Sequence, residues 1–350
     1  MSMSVIPERE KSAAATRGRS VIRVVQVGLG PIGCQAVRYL AERPSLALVG
    51  AVDIDPAKHG RDAGEIVGLE KPLGVAVDER LGETLRATKP DVAVVTTASS
   101  VVKVMPTLME IVTQGINVVS TCEELACPWH RAPEESRQLD AAAREHGVTV
   151  LGTGVNPGFL MDALPATLTA VCREVHHITV ERLQDAQHRR LPFQQKIGVG
   201  LTPDQFAAKV TSGTLRHVGL AESMHMVAAQ LGWVLDEVQD VISPVTAQSR
   251  VTASGVTVEP GQALGVEQIG TGTMGGREVI RLVFRAALGL PETRDRILIK
   301  GTPVIEMVIP GGVNGDVATC AITVNAIPAV LAAAPGLKTM TEIPTVSWFC

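Results

Sequence analysis

VVQVGLGPIG, residues 24–33, is the stretch on which the fold turns. The run 21–27 is apolar and β-branched, as a buried strand requires, and Gly28, Gly30 and Gly33 follow at G-x-G-x-x-G spacing before a helical pattern that runs to about residue 42. Gly28 permits the tight turn, Gly30 lets a pyrophosphate approach the backbone, and Gly33 allows the helix to pack close to the strand. Free N–H groups at the helix start then meet the phosphate charge. Asp53 ends the next strand, 46–52, where a carboxylate accepts from the ribose hydroxyls of NAD and repels a 2′-phosphate. Lys58, His59 and Arg61 lie near enough to leave NADP open. The cofactor set therefore begins with Gly28, Leu29, Gly30, Pro31, Ile32, Gly33 and Asp53.

Outward from this motif, strands at 92–97, 117–121 and 149–151 alternate with helices at 104–114 and 134–146. Crossovers of that length imply parallel pairing. Ligands collect at the carboxyl ends of such strands, which adds Ala98, Ser99, Ser100, Thr121 and Cys122 to the cofactor set, although an ordinary helix cap explains one serine equally well. Glu123 and Glu124 come next. In extended chain they point to opposite sides, one into a cleft and the other toward solvent or a basic partner. Two surface acids opening a loop is the plainer alternative. At the domain border, Asn156 before Pro157 reads as a helix N-cap and hinge that also lines the cleft.

The second half has strands at 176–185, 241–247, 256–259, 278–286, 296–301 and 304–309, with few helices between them. One of those helices opens on the capping box Thr202-Pro203-Asp204-Gln205, and another covers 219–231. Successive strands without helical crossovers point to a mostly antiparallel sheet. The fold class is thus α/β, a Rossmann-type doubly wound parallel sheet followed by an α+β domain. The division runs as a mobile leader 1–20, a dinucleotide-binding domain 21–154, a substrate and dimerisation domain 155–315, and a C-terminal helix and tail 316–350. That last helix, 316–333, is apolar enough to pack back on the first domain.

Composition removes other classes of function. The 350 residues carry 32 Lys plus Arg against 36 Asp plus Glu, a near-balance that argues against general nucleic-acid or anionic-membrane binding. Six scattered cysteines match neither a zinc site nor a disulfide framework and suit a reducing, cytoplasmic setting. No uninterrupted apolar run is long enough to span a bilayer, and the leader lacks the apolar core of a secretory signal. His176 and His177 face opposite ways on a strand and His225 sits beside Met224 and Met226, so no metal is expected. The polar loop 185–200, with His188, Arg189, Arg190, Phe193 and Lys196, contacts substrate, a partner subunit or water.

Five stretches carry a resemblance: VVQVGLGPIG (24–33), VGAVDIDPAKHGRDAGEIVGL (49–69), STCEELACPW (120–129), LGTGVNPGF (151–159) and GDVATCAITVNAIP (315–328). With these the chain resembles 2,4-diaminopentanoate dehydrogenases and the related native amine dehydrogenases, which have a dihydrodipicolinate-reductase-like N-terminal domain. The resemblance implies a homodimer that interconverts an amine, or a 2,4-diaminopentanoate-like diamine carboxylate, with a ketone and ammonia using NAD(P). It also implies a catalytic glutamate at Glu123, with Glu124 as second choice; Asn156, Phe159 and Phe193 are the candidate substrate-binding residues. The histidine pair followed by lysine and the G-T-A segment of true dihydrodipicolinate reductases are missing, and Tyr39 is the single tyrosine. Two alternatives remain: an NAD(P)H-dependent reductase of a cyclic imine, and a non-catalytic NAD(H)-binding sensor.

Overall fold

Val24 and Val25 have no exposed surface, which places β1 (Ile22–Val27) inside a sheet covered on both faces. The computed structural model describes residues 21–187, 191–253 and 255–350; the leader 1–20 and the loop residues His188, Arg189 and Arg190 lie outside the described residues. β1 pairs in parallel with β2 (Leu46–Val52) and β4 (Val92–Val95), while β3 (Val77–Asp78) extends the β2 side. β5 (Asn117–Ser120) and β6 (Thr149–Gly152) extend the other side, again in parallel. Helices α1 (Pro31–Ala41), α2 (Ala63–Ile66), α3 (Leu81–Thr88), α4 (Val101–Val112) and α5 (Pro133–Glu145) connect the strands and bury their apolar sides against them. This is the doubly wound sheet that the strand–helix alternation predicts.

The second domain begins with α6 (Ala163–Leu168) and β7 (Glu174–Asp185). Three helices follow, α7 (Leu191–Lys196), α8 (Pro203–Thr211) and α9 (Leu220–Leu231). The remaining strands are β8 (Glu237–Thr246), the small hairpin β9 (Val251–Ala253) and β10 (Val256–Val258), β11 (Ala263–Met274), β12 (Arg277–Ala287), β13 (Arg294–Thr302) and β14 (Ile305–Pro310). Six of these strands form a sheet in the order β14-β13-β7-β12-β11-β8, antiparallel except for the β7–β12 pair. One face packs on α6 and α9 through Ile178, Val180, Met224, Val227, Ile280 and Leu282. The capping box at α8 forms as its sequence predicts: the Gln205 amide donates to Thr202 Oγ1 at 3.3 Å and the Thr202 amide to Gln205 Oε1 at 3.0 Å.

Two expectations need correction. The helix expected at 316–333 is two, α10 (Gly315–Asn325) and α11 (Ile327–Ala332), because Pro328 has no N–H to continue the ladder. Gly315–Ala332 has the length and composition of a membrane span, with mean hydropathy 1.5, yet Val324, Ile327 and Val330 are wholly buried in the core that covers β4–β6. The chain then returns as β15 (Gly336–Lys338), a seventh parallel strand paired with β6. Three residues carry too little periodicity for this strand to be read from sequence, and two-residue β3 is the same case.

The second correction concerns Asn156, which caps no helix. The Asn156–Pro157 peptide is cis, residues 155–162 form turns, and the helix starts at Ala163. Asp162 is the cap. Its wholly buried carboxyl accepts from the Gly158 and Ala163 amides and the Ser223 hydroxyl, each at 2.7 Å. Burial pushes its pKa up despite those three donors. The bond to Ser223 ties the border segment to α9, which fixes Asn156 against the second domain.

Candidate active site

The glycine loop is built for an anion. Gly28 has φ +90°, and a Cβ on Gly33 would stand 2.0 Å from the Gly28 carbonyl oxygen, so neither position admits a side chain. Buried Gln26 donates to that same carbonyl at 2.8 Å and Thr96 Oγ1 at 2.9 Å, locking the loop from beneath. Gly30 has open space where its Cβ would be, and it heads α1 with no side-chain cap. The space and the free N–H groups fit a pyrophosphate. Asp53 Oδ2 accepts from the Leu29 amide at 2.6 Å and Lys58 Nζ at 3.1 Å, and its Oδ1 accepts from the Asp55 amide at 2.9 Å. Burial raises the Asp53 pKa, but these donors outweigh it and the net shift is downward. An ionised carboxylate thus stands ready for a ribose, with Lys58 beside it.

A cavity of about 470 Å³ opens at the carboxyl ends of β4 and β5, between the two domains. Pro31, Ile32, Ala98, Ser99, Thr121, Glu123, Asn156 and Phe193 line it, so eight of the residues assigned from sequence meet there. Three do not. Cys122 is buried in the first-domain core, where burial pushes its thiol up to about 12. Phe159 packs among apolar residues of both domains, and Ser100 heads α4 without capping it.

Glu123 and Glu124 begin a 3₁₀ turn, Glu123–Ala126, directly after β5. The Glu124 amide donates to Ser99 O at 3.2 Å, its Oε2 accepts from the Val101 amide at 2.9 Å, and its Oε1 lies 3.6 Å from Arg131. Glu124 therefore caps α4 in place of Ser100, at the helix end where negative charge is favoured. The Glu123 carboxylate makes no hydrogen bond or ion pair with any described residue and lines the cavity. The two carboxylates part, but on a tight turn and not on the extended chain that the alternation argument requires.

Sequence reasoning missed the wall contributed by the second domain: Arg182, Gln184, His217, Phe284, Gly315, Asp316 and Thr319; Lys196, named with the polar stretch 185–200, lines the cavity from helix α7 and not from a loop. Arg182 is nearly buried and held by Val313 O at 2.7 Å and Asp295 at 3.8 Å. Alternation along β7 places Arg182 and Gln184 inward, a signal visible in the sequence only once the buried face is known. His225, read as a packed histidine, stacks on His130 at 3.6 Å between centroids. No group of three or more His, Cys, Asp or Glu among the described residues is arranged to hold a metal ion.

A fixed dinucleotide loop, an acid at the second strand and an unpaired carboxylate in an interdomain cavity define the class, a nicotinamide-dependent dehydrogenase. Residues 22–151 match the family model described as dihydrodipicolinate reductase, N-terminus, and residues 159–349 match the 2,4-diaminopentanoate dehydrogenase C-terminal domain. The 2,4-diaminopentanoate dehydrogenase of Acetoanaerobium sticklandii is 32% identical over 92% of this chain and 93% of its own length. An amine dehydrogenase of Streptomyces virginiae is 28% identical over 93% of this chain and 96% of its own. The solved amine dehydrogenase of Mycobacterium smegmatis superposes with a TM-score of 0.81 at 26% identity, covering 94% of this chain and 98% of that one. The chain belongs to the 2,4-diaminopentanoate dehydrogenase family.

Burial pushes His217 down to about 3, helped by Arg182, Lys196 and Arg216, and burial with His130 pushes His225 down to about 4. Both titrate at 6.5 when unperturbed, so between these values the native state binds fewer protons than the unfolded chain. Their contribution to stability is whole above pH 6.5 and is lost as pH falls toward 4. Raised carboxyls such as Asp162 and Asp295 run the opposite way and cancel in a comparison with a histidine variant. The Tm of the native protein minus that of His225→Phe is expected to be smaller at pH 5 than at pH 7.5 by calorimetry. An equal difference at both pH values contradicts the assignment of His225 as a half-buried neutral group.

Proposed function

We propose that Glu123 is the acid–base carboxylate of an NAD(P)-dependent amine dehydrogenase, which oxidatively deaminates an amine to a ketone and ammonia and runs the reverse amination. The oxidoreductase class, acting on a carbon that bears an amino group, follows from the family. The residue role rests on one observation: Glu123 alone of the adjacent pair has an unengaged carboxylate in the cavity. The nicotinamide, when bound, supplies hydride acceptance and return. Gly28, Gly30 and Gly33 with the start of α1 would hold its pyrophosphate, and Asp53 the adenine ribose. Asp53 favours NAD, and Lys58 at 3.1 Å is the group able to turn toward a 2′-phosphate.

The charge changes explain the need for a carboxylate. Loss of hydride from the amine carbon leaves an iminium cation, which a negative oxygen stabilises. Glu123 then takes a proton from the water that attacks that carbon and hands it to the departing nitrogen. Glu123→Gln is expected to lower turnover by about two decades or more while NAD binding survives, followed as reduced nicotinamide absorbance and by calorimetric titration. Glu124→Gln should cost stability through the cap and leave most turnover. Equal losses in both variants would move the role to Glu124, and an unchanged Glu123→Gln would remove it from the mechanism.

We place the protein in the cytoplasm, supported by six cysteines with no disulfide. We also propose a homodimer through the sheet face opposite α6 and α9. On that face Val241, Ile269 and Val283 stand in one registered row, with Leu183 and Leu298 nearby. Ion pairs Arg285–Glu267, Arg281–Glu278 and Arg294–Glu181 surround them. Such an apolar centre with a charged rim is the pattern of a self-complementary interface. Light scattering should give twice the chain mass for the native protein and the single mass for Ile269→Asp; a monomeric native protein contradicts this interface.

A further inference from the structure

His217 lines the cavity and is held by Asn156 and Phe284 of the same lining and by Gln268 behind it. The buried Gln268 side chain on β11 accepts from the His217 amide at 2.7 Å and donates to its carbonyl at 2.9 Å. The Gln268 side-chain NH₂ also donates to Asp240 at 2.9 Å. The imidazole stacks on Phe284 with 4.6 Å between centroids and 20° between planes. Its Nε2 lies 2.7 Å from Asn156 Nδ2. With the Asn156 NH₂ turned to the ring, Nε2 accepts, which puts the ring proton on Nδ1. Nδ1 has no partner among the described residues. Three elements therefore fix one ring in the cavity lining and leave it a single N–H with no partner among the described residues.

We propose that His217 holds the oxygen of the carbonyl substrate, the oxygen that water brings in during deamination, through this Nδ1–H; the role rests on the amine chemistry assigned to Glu123 above. Glu123, once ionised, only accepts, and it serves nitrogen and protons. The oxygen needs a donor, and the adjacent carbon carries an iminium charge that a cationic donor would repel. Arg182 is tied to Val313 and Asp295. Burial pushes the His217 pKa down to about 3, with Arg182, Lys196 and Arg216 adding to the effect, so its ring stays a neutral donor at working pH.

In the proposed step the water oxygen bonds to the iminium carbon, the C=N pair moves to nitrogen, and one water proton passes to Glu123. Glu123 then protonates nitrogen. The C–N bond breaks with its electron pair on nitrogen as C=O forms, and the hydroxyl proton returns to Glu123. His217 keeps its proton throughout and follows the oxygen from nucleophile to carbonyl. Asn156, which sets the tautomer, is a positioning residue in this scheme.

The test separates the hydride half of the reaction from the oxygen half. His217→Phe keeps a ring against Phe284 and removes the donor, whereas His217→Asn puts an amide NH₂ where Nδ1 stood. With NAD and an amine the native enzyme oxidises, stopped-flow absorbance should show the first turnover of His217→Phe within about threefold of native. Its steady-state rate should fall by about tenfold or more, as expected for one lost hydrogen bond to the reacting oxygen. His217→Asn should recover part of that loss. Nitrogen-15 NMR of the native protein, which requires no variant to fold, should find the proton of His217 on Nδ1. A first turnover slowed as much as the steady state, no slowing at all, an asparagine variant no better than phenylalanine, or a proton on Nε2 each overturns the proposal. Glu123→Gln slows the first turnover itself, so an intact first turnover in that variant marks failure of the Glu123 reading instead.

Discussion

The hydrogen bond from the Val101 amide to Glu124 is the constraint on which the proposed chemistry depends. It spends one of two adjacent carboxylates on the start of α4 and so decides which of them remains for a ligand. The Glu124 amide, bonded back to Ser99, stitches the ends of β4 and β5 together at the same point. Without those two contacts the turn after β5 has no reason to present Glu123 toward the cavity. A single backbone donor thus gives one neighbour a structural task and leaves the other for the chemical role proposed for it.

The second domain and the C-terminal helices close the space in front of that carboxylate. Asp162, sunk between the border turn and α9, fixes the angle at which the chain leaves the nucleotide sheet. α10 then packs against α1 and brings Gly315, Asp316 and Thr319 to the cavity beside the start of the nucleotide loop. The cavity is an interdomain product: its acid and nucleotide groups come from the first half of the chain, and its arginine, histidine and aromatic wall from the second.

The first half was largely legible because its signals are local. A glycine loop between a strand and a helix, an acid at the next strand end, and adjacent glutamates after a third strand each lie within a few residues of one another. The second-domain wall was not legible for the opposite reason. Arg182, His217 and Phe284 are distant in sequence and come together only through the β7–β12 pairing and the Gln268 clamp. Asn156 was assigned correctly to the cleft and wrongly to a helix cap, since the buried Asp162 that takes the cap gives no sign in sequence of being buried. The break at Pro328 was readable in retrospect; the strength of the apolar pattern hid it.

The proposed deamination depends on a free carboxylate meeting a positive nitrogen in this cavity. A crystal structure with oxidised nicotinamide dinucleotide and a bound amine is the decisive measurement. The amine nitrogen is expected within hydrogen-bond distance of Glu123, with Glu124 still on the Val101 amide. An amine seated on another group, with Glu123 turned away from it, would contradict it.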